Sequence, residues 1–281
     1  MKKILAIAIA TAISAPAMAD LTIGGGARYN VVDTDGDVAT DGRVTVTVAG
    51  TATGDNGAFA AYNLTVQANQ GTADIALEDN YLTIGNAVAT VKLGEFEMTK
   101  VFSSGADTFE ANANTSNNGY ENSAVRGRDT RNMEVLFSAA GADFGFGTRI
   151  DDAEQNAQIS AKTSVGSVAV GAVYEIANAG NDDGVVLNAS TSFEGVALAA
   201  SYGKKANDKS TNVNASYNGF GIAYQINENG TPSAEEKNLY GTYTLSDVAG
   251  IAGASVIIGA ANSETSSANV DKVGVRLNYA F

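Results

Sequence analysis

The chain closes on VGVRLNYAF, residues 273–281, and this stretch decides how the rest is read. Val273, Val275, Leu277, Tyr279 and Phe281 share one parity, while Gly274, Arg276 and Asn278 share the other. Successive side chains of a β-strand point to opposite faces, so the segment is a strand with one apolar face and one wet face. The fold follows from what each face meets.

The same period of two recurs upstream. LTIGGGARY sets Leu21, Ile23, Gly25, Ala27 and Tyr29 against Thr22, Gly24, Gly26 and Arg28. VAVGAVYEI, VALAASYGK, FGIAYQIN and NLYGTYTL repeat the alternation, and no stretch holds a helical period for three turns. Sixteen strands are predicted, at 20–30, 43–53, 57–67, 79–86, 88–95, 131–139, 142–151, 155–164, 167–177, 184–193, 195–204, 210–218, 219–227, 237–246, 253–262 and 269–281. Their connections fall into two alternating sets. One is tight and rich in Gly and Asn, as at Ala140-Gly141 and Asn218-Gly219; the other is longer and polar, as in VVDTDGDVATDG, ANAGNDDG, KANDKS and NENGTPSAEEK. Short turns then lie at one rim and long loops at the other.

At the amino end, Lys2 and Lys3, an apolar run from Ile4 to Ile13 and Ala17-Met18-Ala19 form a secretory signal peptide, residues 1–19. Residues 20–281 make one domain. Losing Lys2 and Lys3 deepens the formal net charge from −14 by two, to −16. An acidic chain lacks the clustered Lys and Arg that nucleic acid requires. With no cysteine and no histidine, it also lacks disulfides, thiolate metal ligands and the usual general base, so a non-enzymatic role is expected. The mature chain leaves about sixteen residues for each strand with its connection, enough for a membrane strand of about nine to eleven. Thr, Ser, Asn, Gly and charge occupy one face, and aromatics crowd the strand ends on the other. A soluble sandwich packs bulky residues inward, and aromatics at strand ends instead match the interfacial girdles of a bilayer barrel. The expected fold is therefore all-β, a transmembrane antiparallel barrel of about sixteen strands, which leaves no edge to protect.

One connection breaks the meander: FEMTKVFSSGADTFEANANTSNNGYENSAVRGRDTR, residues 96–131. It carries Phe102, Phe109 and Tyr120, the acids Asp107, Glu110 and Glu121, and a basic return through Arg126, Arg128 and Arg131. A loop of this length with so many aromatics is expected to fold into the lumen, because a sixteen-stranded barrel encloses more volume than its own side chains fill.

The leader, the sixteen alternating strands, the long third loop after VKLGEFE and the RLNYAF ending together resemble the general porins of Gram-negative bacteria. The resemblance covers the whole mature chain. It implies a homotrimer in the outer membrane, joined through the small-residue walls of the early strands, that passes ions and small hydrophilic solutes by diffusion. It also implies that Leu277, Tyr279 and Phe281 are the signal read by the barrel-insertion machinery. The loop acids Asp107, Glu110 and Glu121 would narrow the pore opposite a basic wall. Inward parity independently selects Arg28, Arg43, Lys92, Arg149, Lys162 and Arg276 as lumen-facing bases. The acid surplus favours weak cation preference. A substrate-specific channel and a structural or adhesive barrel are the alternatives.

Two other signals carry less. IGGGARY lacks the third glycine and the following helix of a phosphate loop, so its glycines are read as easing close packing on a strand. Asp33, Asp35 and Asp37 have calcium-like spacing, but Val44 stands where a bidentate Glu would complete such a loop. No cofactor is expected beyond that weak calcium candidate.

Overall fold

The structure, a computed structural model, describes residues 20–71, 75–103, 131–150, 156–177, 182–229 and 235–281. Residues 1–19, expected to be a signal peptide, lie outside them. The strands are β1 (Asp20–Thr34), β2 (Asp37–Thr53), β3 (Phe59–Asn69), β4 (Ile75–Gly85), β5 (Ala89–Glu95), β6 (Arg131–Ala139), β7 (Ala142–Arg149) and β8 (Ala157–Val165). They continue as β9 (Val168–Ile176), β10 (Gly184–Phe193), β11 (Val196–Lys205), β12 (Asp208–Tyr217), β13 (Phe220–Asn229), β14 (Glu235–Ser246), β15 (Ala254–Thr265) and β16 (Asn269–Ala280). Each pairs antiparallel with its chain neighbours, and β1 pairs with β16, which closes the barrel. Closure matters physically, since each unsatisfied backbone group in hydrocarbon costs several kcal/mol.

The barrel is inside-out relative to a soluble protein. Ile159, Tyr174, Leu187, Leu198, Val213, Ile222 and Leu239 are exposed on the outward face, whereas Gln158, Ser160, Glu175, Ser201, Asn212, Gln225 and Asn238 are buried on the inward one. Registers pair inward with inward residues across the described strands, for example Ser201 with Asn212 and Gln225 with Asn238. Outward aromatics gather where strands end. Phe220 and Tyr243 face each other across β13 and β14 with ring centroids 4.3 Å apart, and Phe137 stacks on Phe144 at 5.3 Å. Among the described residues, outward charges gather near the loop rim, where Lys209 bridges Glu228 at 2.9 Å and Lys237 bridges Glu235 at 2.7 Å. Apolar band, aromatic flanks and charged rim are the layers of a membrane-spanning barrel.

Two of the expected long loops are corrected. VVDTDGDVATDG is mostly strand, joined by the two-residue turn Asp35–Gly36 (φ 51° and 93°), and KANDKS turns tightly at Ala206–Asn207. Beyond the membrane both faces of a strand are wet, so its residues turn polar on both parities while the backbone ladder continues. Periodicity stops there although the strand does not. The expected longer turn near residue 250 holds a short 3-10 segment, Val248–Gly250.

The carboxy end seals the barrel. Gly25 N–H donates to the Phe281 carbonyl at 2.9 Å and Phe281 N–H to the Gly25 carbonyl at 3.1 Å. A Cβ on Gly25 would run into the Thr45 carbonyl oxygen and stand 2.9 Å from the Phe281 ring, so glycine lets both approach the strand. Leu277, Tyr279 and Phe281 all face outward and are exposed.

Candidate functional site

After β5 the chain turns inward, and residues 96–103 run round the inner wall. Phe96 and Met98 are fully buried there. The Phe96 carbonyl accepts from Asn132 Nδ2 on β6, and Thr99 N–H donates to Glu134 Oε1 on the same strand at 2.8 Å. Gln158 on β8 donates to the Thr99 carbonyl at 2.9 Å. Phe102 then packs with Val173 of β9 and Val186 of β10, and Val101 joins them. Ser103 ends the described run: its N–H donates to Ser201 Oγ on β11 at 2.8 Å, and its Oγ accepts from Asn214 Nδ2 on β12 at 3.3 Å.

The wall is cut to receive this segment. A Cβ on Gly147 would collide with Met98 Sδ, and one on Gly171 would stand 3.2 Å from Val101. Glycine at these inward positions of β7 and β9 opens a trough in which the main chain lies against the sheet. At its start, Lys92 Nζ sits 3.8 Å above the Tyr81 ring and 4.1 Å from Phe96, whose ring packs edge-on to Tyr81.

All six bases selected by parity lie on the inward face, in two groups. Arg28 stands opposite Arg43 in the β1–β2 register, and Arg276 on β16 donates to Asn30 Oδ1 at 2.6 Å. Asn30 in turn donates to both oxygens of Asp41, at 2.7 and 2.9 Å, so a polar chain crosses β16, β1 and β2 beside the arginines. Lys92, Arg149 and Lys162 occupy β5, β7 and β8, where the registers set Lys92 opposite Glu134 and Lys162 opposite Asp143. On a ring of sixteen, β9 is eight strands from β1. The Arg28, Arg43 and Arg276 group therefore lies across the lumen from the wall that carries Val101 and Phe102.

The acids Asp107, Glu110 and Glu121 fall in 104–130 and lie outside the described residues, as do Phe109, Tyr120, Arg126 and Arg128. Arg131 opens β6 on the outward parity, opposite Glu95. Of the calcium candidates, Asp33 Oδ1 accepts from Gly36 N–H at 2.8 Å and Asp35 Oδ1 from Asp271 N–H at 2.9 Å. They serve as turn and strand ties, and among the described residues no group of three acids is placed to hold a metal ion.

Asn132, Glu134, Gln158, Ser201 and Asn214, which hold the inward segment, were not singled out by sequence reasoning. The available signal was an amide or carboxylate on inward parity, together with glycine on inward parity in β7 and β9.

No family model and no curated protein matches the chain. Solved structures do. An engineered variant of the porin of Rhodopseudomonas blastica superposes with a TM-score of 0.67 at 14% identity, covering 92% of this chain and 100% of its own. A triple mutant of the same porin gives 0.67 at 16%, with the same coverage. A structure described as "Asymmetric conductivity of engineered proteins" gives 0.68 at 13%, over 93% of this chain and 100% of its own. At this identity the likeness is one of architecture: the chain has the sixteen-stranded barrel fold of these porins.

Proposed function

We propose that this protein is a general diffusion porin of a Gram-negative outer membrane, delivered by the residue 1–19 leader and assembled as a homotrimer. It passes ions and small hydrophilic solutes down their gradients and catalyses no reaction. The observation that carries this reading is the polar inner wall of a closed barrel whose lumen is entered by residues 96–103. A wall of amides, hydroxyls and mixed charge supports sorting by size and charge rather than by tight capture. Narrowing comes from the third loop, with Asp107, Glu110 and Glu121 set against Arg28, Arg43 and Arg276, while Lys92, Arg149 and Lys162 line the side under the loop. Net negative charge concentrates cations at the mouth, which gives a weak cation preference. Leu277, Tyr279 and Phe281 serve as the outward-facing signal for the insertion machinery.

Liposome swelling with neutral sugars of increasing size separates this from a substrate-specific channel. A general porin gives rates that fall smoothly with solute size. One sugar permeating far faster than smaller ones would overturn the reading.

A further inference from the structure

The inner wall of β13 and β14 holds three side chains whose oxygens are left unsatisfied in the barrel interior. Gln225 and Asn238 are register partners, and Glu236 lies two residues before Asn238 on the same face. All three are buried, at 1%, 0% and 2% exposure. Gln225 Oε1, Glu236 Oε2 and both Oδ1 and Nδ2 of Asn238 have no hydrogen-bond partner, so no bond fixes which end of the Asn238 amide faces Glu236. The orientation of Gln225 is set by its own donors: Nε2 gives to Ser210 Oγ at 3.2 Å and to Asn227 Oδ1 at 2.8 Å, which leaves the oxygen as the unsatisfied end. Glu236 Oε1 takes the Ser263 hydroxyl at 3.0 Å, and that neutral donor is the one hydrogen bond described for the carboxylate.

A buried carboxylate that stays ionised is paired, hydrogen-bonded or bound to a cation, and otherwise takes up a proton. Among the described residues no Lys or Arg bridges Glu236; its sequence neighbour Lys237 points outward and is engaged by Glu235. Cross-strand neighbours on one face have Cβ atoms about 4.5–5.5 Å apart, and residues two apart on a strand are about 7 Å apart. Side chains so spaced on one face are within reach of a single ion at the 2.3–2.6 Å bonds that calcium makes to oxygen. We propose that Gln225, Glu236 and Asn238 form a site for a hard divalent cation on the barrel wall, with carboxylate and amide oxygens as ligands and water completing the shell. This goes beyond the channel reading and depends only on the barrel. It is also distinct from Asp33, Asp35 and Asp37, which lie at the turn that joins β1 to β2.

The site carries its own reporter. The chain has no tryptophan, and Tyr240, buried two residues from Asn238 on the same face, is placed to sensitise terbium luminescence. Refolded residues 20–281 in detergent are titrated with Tb3+ under tyrosine excitation and back-titrated with Ca2+. Wild type is expected to give saturable emission that Ca2+ displaces. Glu236→Gln should weaken both ions roughly tenfold or more, and Asn238→Ala should weaken them without changing charge. Tyr240→Phe should cut the emission while calorimetry still reads Ca2+ binding. Calcium-displaceable emission that survives Glu236→Gln, or its absence in folded wild type, overturns the site. If Glu236→Gln fails to fold, Asn238→Ala decides: unchanged affinity there reduces the effect to bulk charge and sinks the proposal.

Discussion

The main-chain N–H of Ser103 donates to the hydroxyl of Ser201 at 2.8 Å, linking residues ninety-eight apart in sequence and joining the segment after β5 to β11, six strands round the barrel. With Glu134 holding Thr99 at the near end, the segment is pinned to the wall at both ends and packed by Phe102 between them. A pinned segment sets a pore width that a free loop would not.

Glu134→Ala removes the acceptor for Thr99 N–H and leaves that donor without its partner, a loss of about 1–3 kcal/mol. The expected result is a larger and noisier single-channel conductance with a lower unfolding midpoint. Glu134→Gln keeps an acceptor and should lie between this variant and wild type.

Gly94 sits at φ 134°, and a Cβ there would run into the Asn80 carbonyl on β4. Gly94→Ala should cost about 1–3 kcal/mol, read as a lower midpoint in denaturant unfolding of the refolded barrel. Gly147→Leu tests something different, since it fills the trough under Met98. It should cost about 1–3 kcal/mol and displace the inward segment, raising conductance.

Arg28 and Arg43 face each other on the inner wall, so reversing either changes the field of the pore by two unit charges. At about 8 Å in water that is worth about 1 kcal/mol, of opposite sign for a monovalent cation and anion, or roughly thirtyfold in the ratio of their permeabilities. Arg28→Glu should move the reversal potential toward cations by that factor, and raised salt should reduce the shift. Lys204→Glu, which lies outward near the rim, should leave it almost unchanged.

Asp183 lies in the connection before β10, where its carboxyl is held below the usual carboxylate range by the Tyr174 hydroxyl at 2.7 Å and by Ala177 N–H at 3.0 Å. A depressed folded value means the tie is fully present above the ordinary carboxylate pKa and is lost as pH falls through the folded one. Hydrogen exchange at the Ala177 amide, corrected for its intrinsic rate, should therefore lose protection only below about pH 4. Asp183→Asn should abolish that dependence.

The barrel was legible because membrane strands obey a single rule: alternation sets Leu277 against Arg276 and Tyr174 against Glu175, and the structure keeps those assignments. Parity alone also placed Arg28, Arg43, Lys92, Arg149, Lys162 and Arg276 on the inner wall. Alternation ran out where water reaches both faces, which is why 31–42 read as loop although it forms the paired tip of the β1–β2 hairpin. The grouping of Arg28 with Arg43 and Arg276 depends on register and on closure of β16 against β1, and neither is a local property. Anchors such as Glu134 and Ser201 resemble any other polar inward residue until a second segment is laid across them.

The central claim is that the closed barrel conducts, and the direct test is single-channel recording of refolded residues 20–281 in a planar bilayer, with the reversal potential then taken across a salt gradient. Stepwise openings in groups of three with a modest cation-selective potential are expected. A folded, heat-stable barrel that inserts and passes no current would contradict the account.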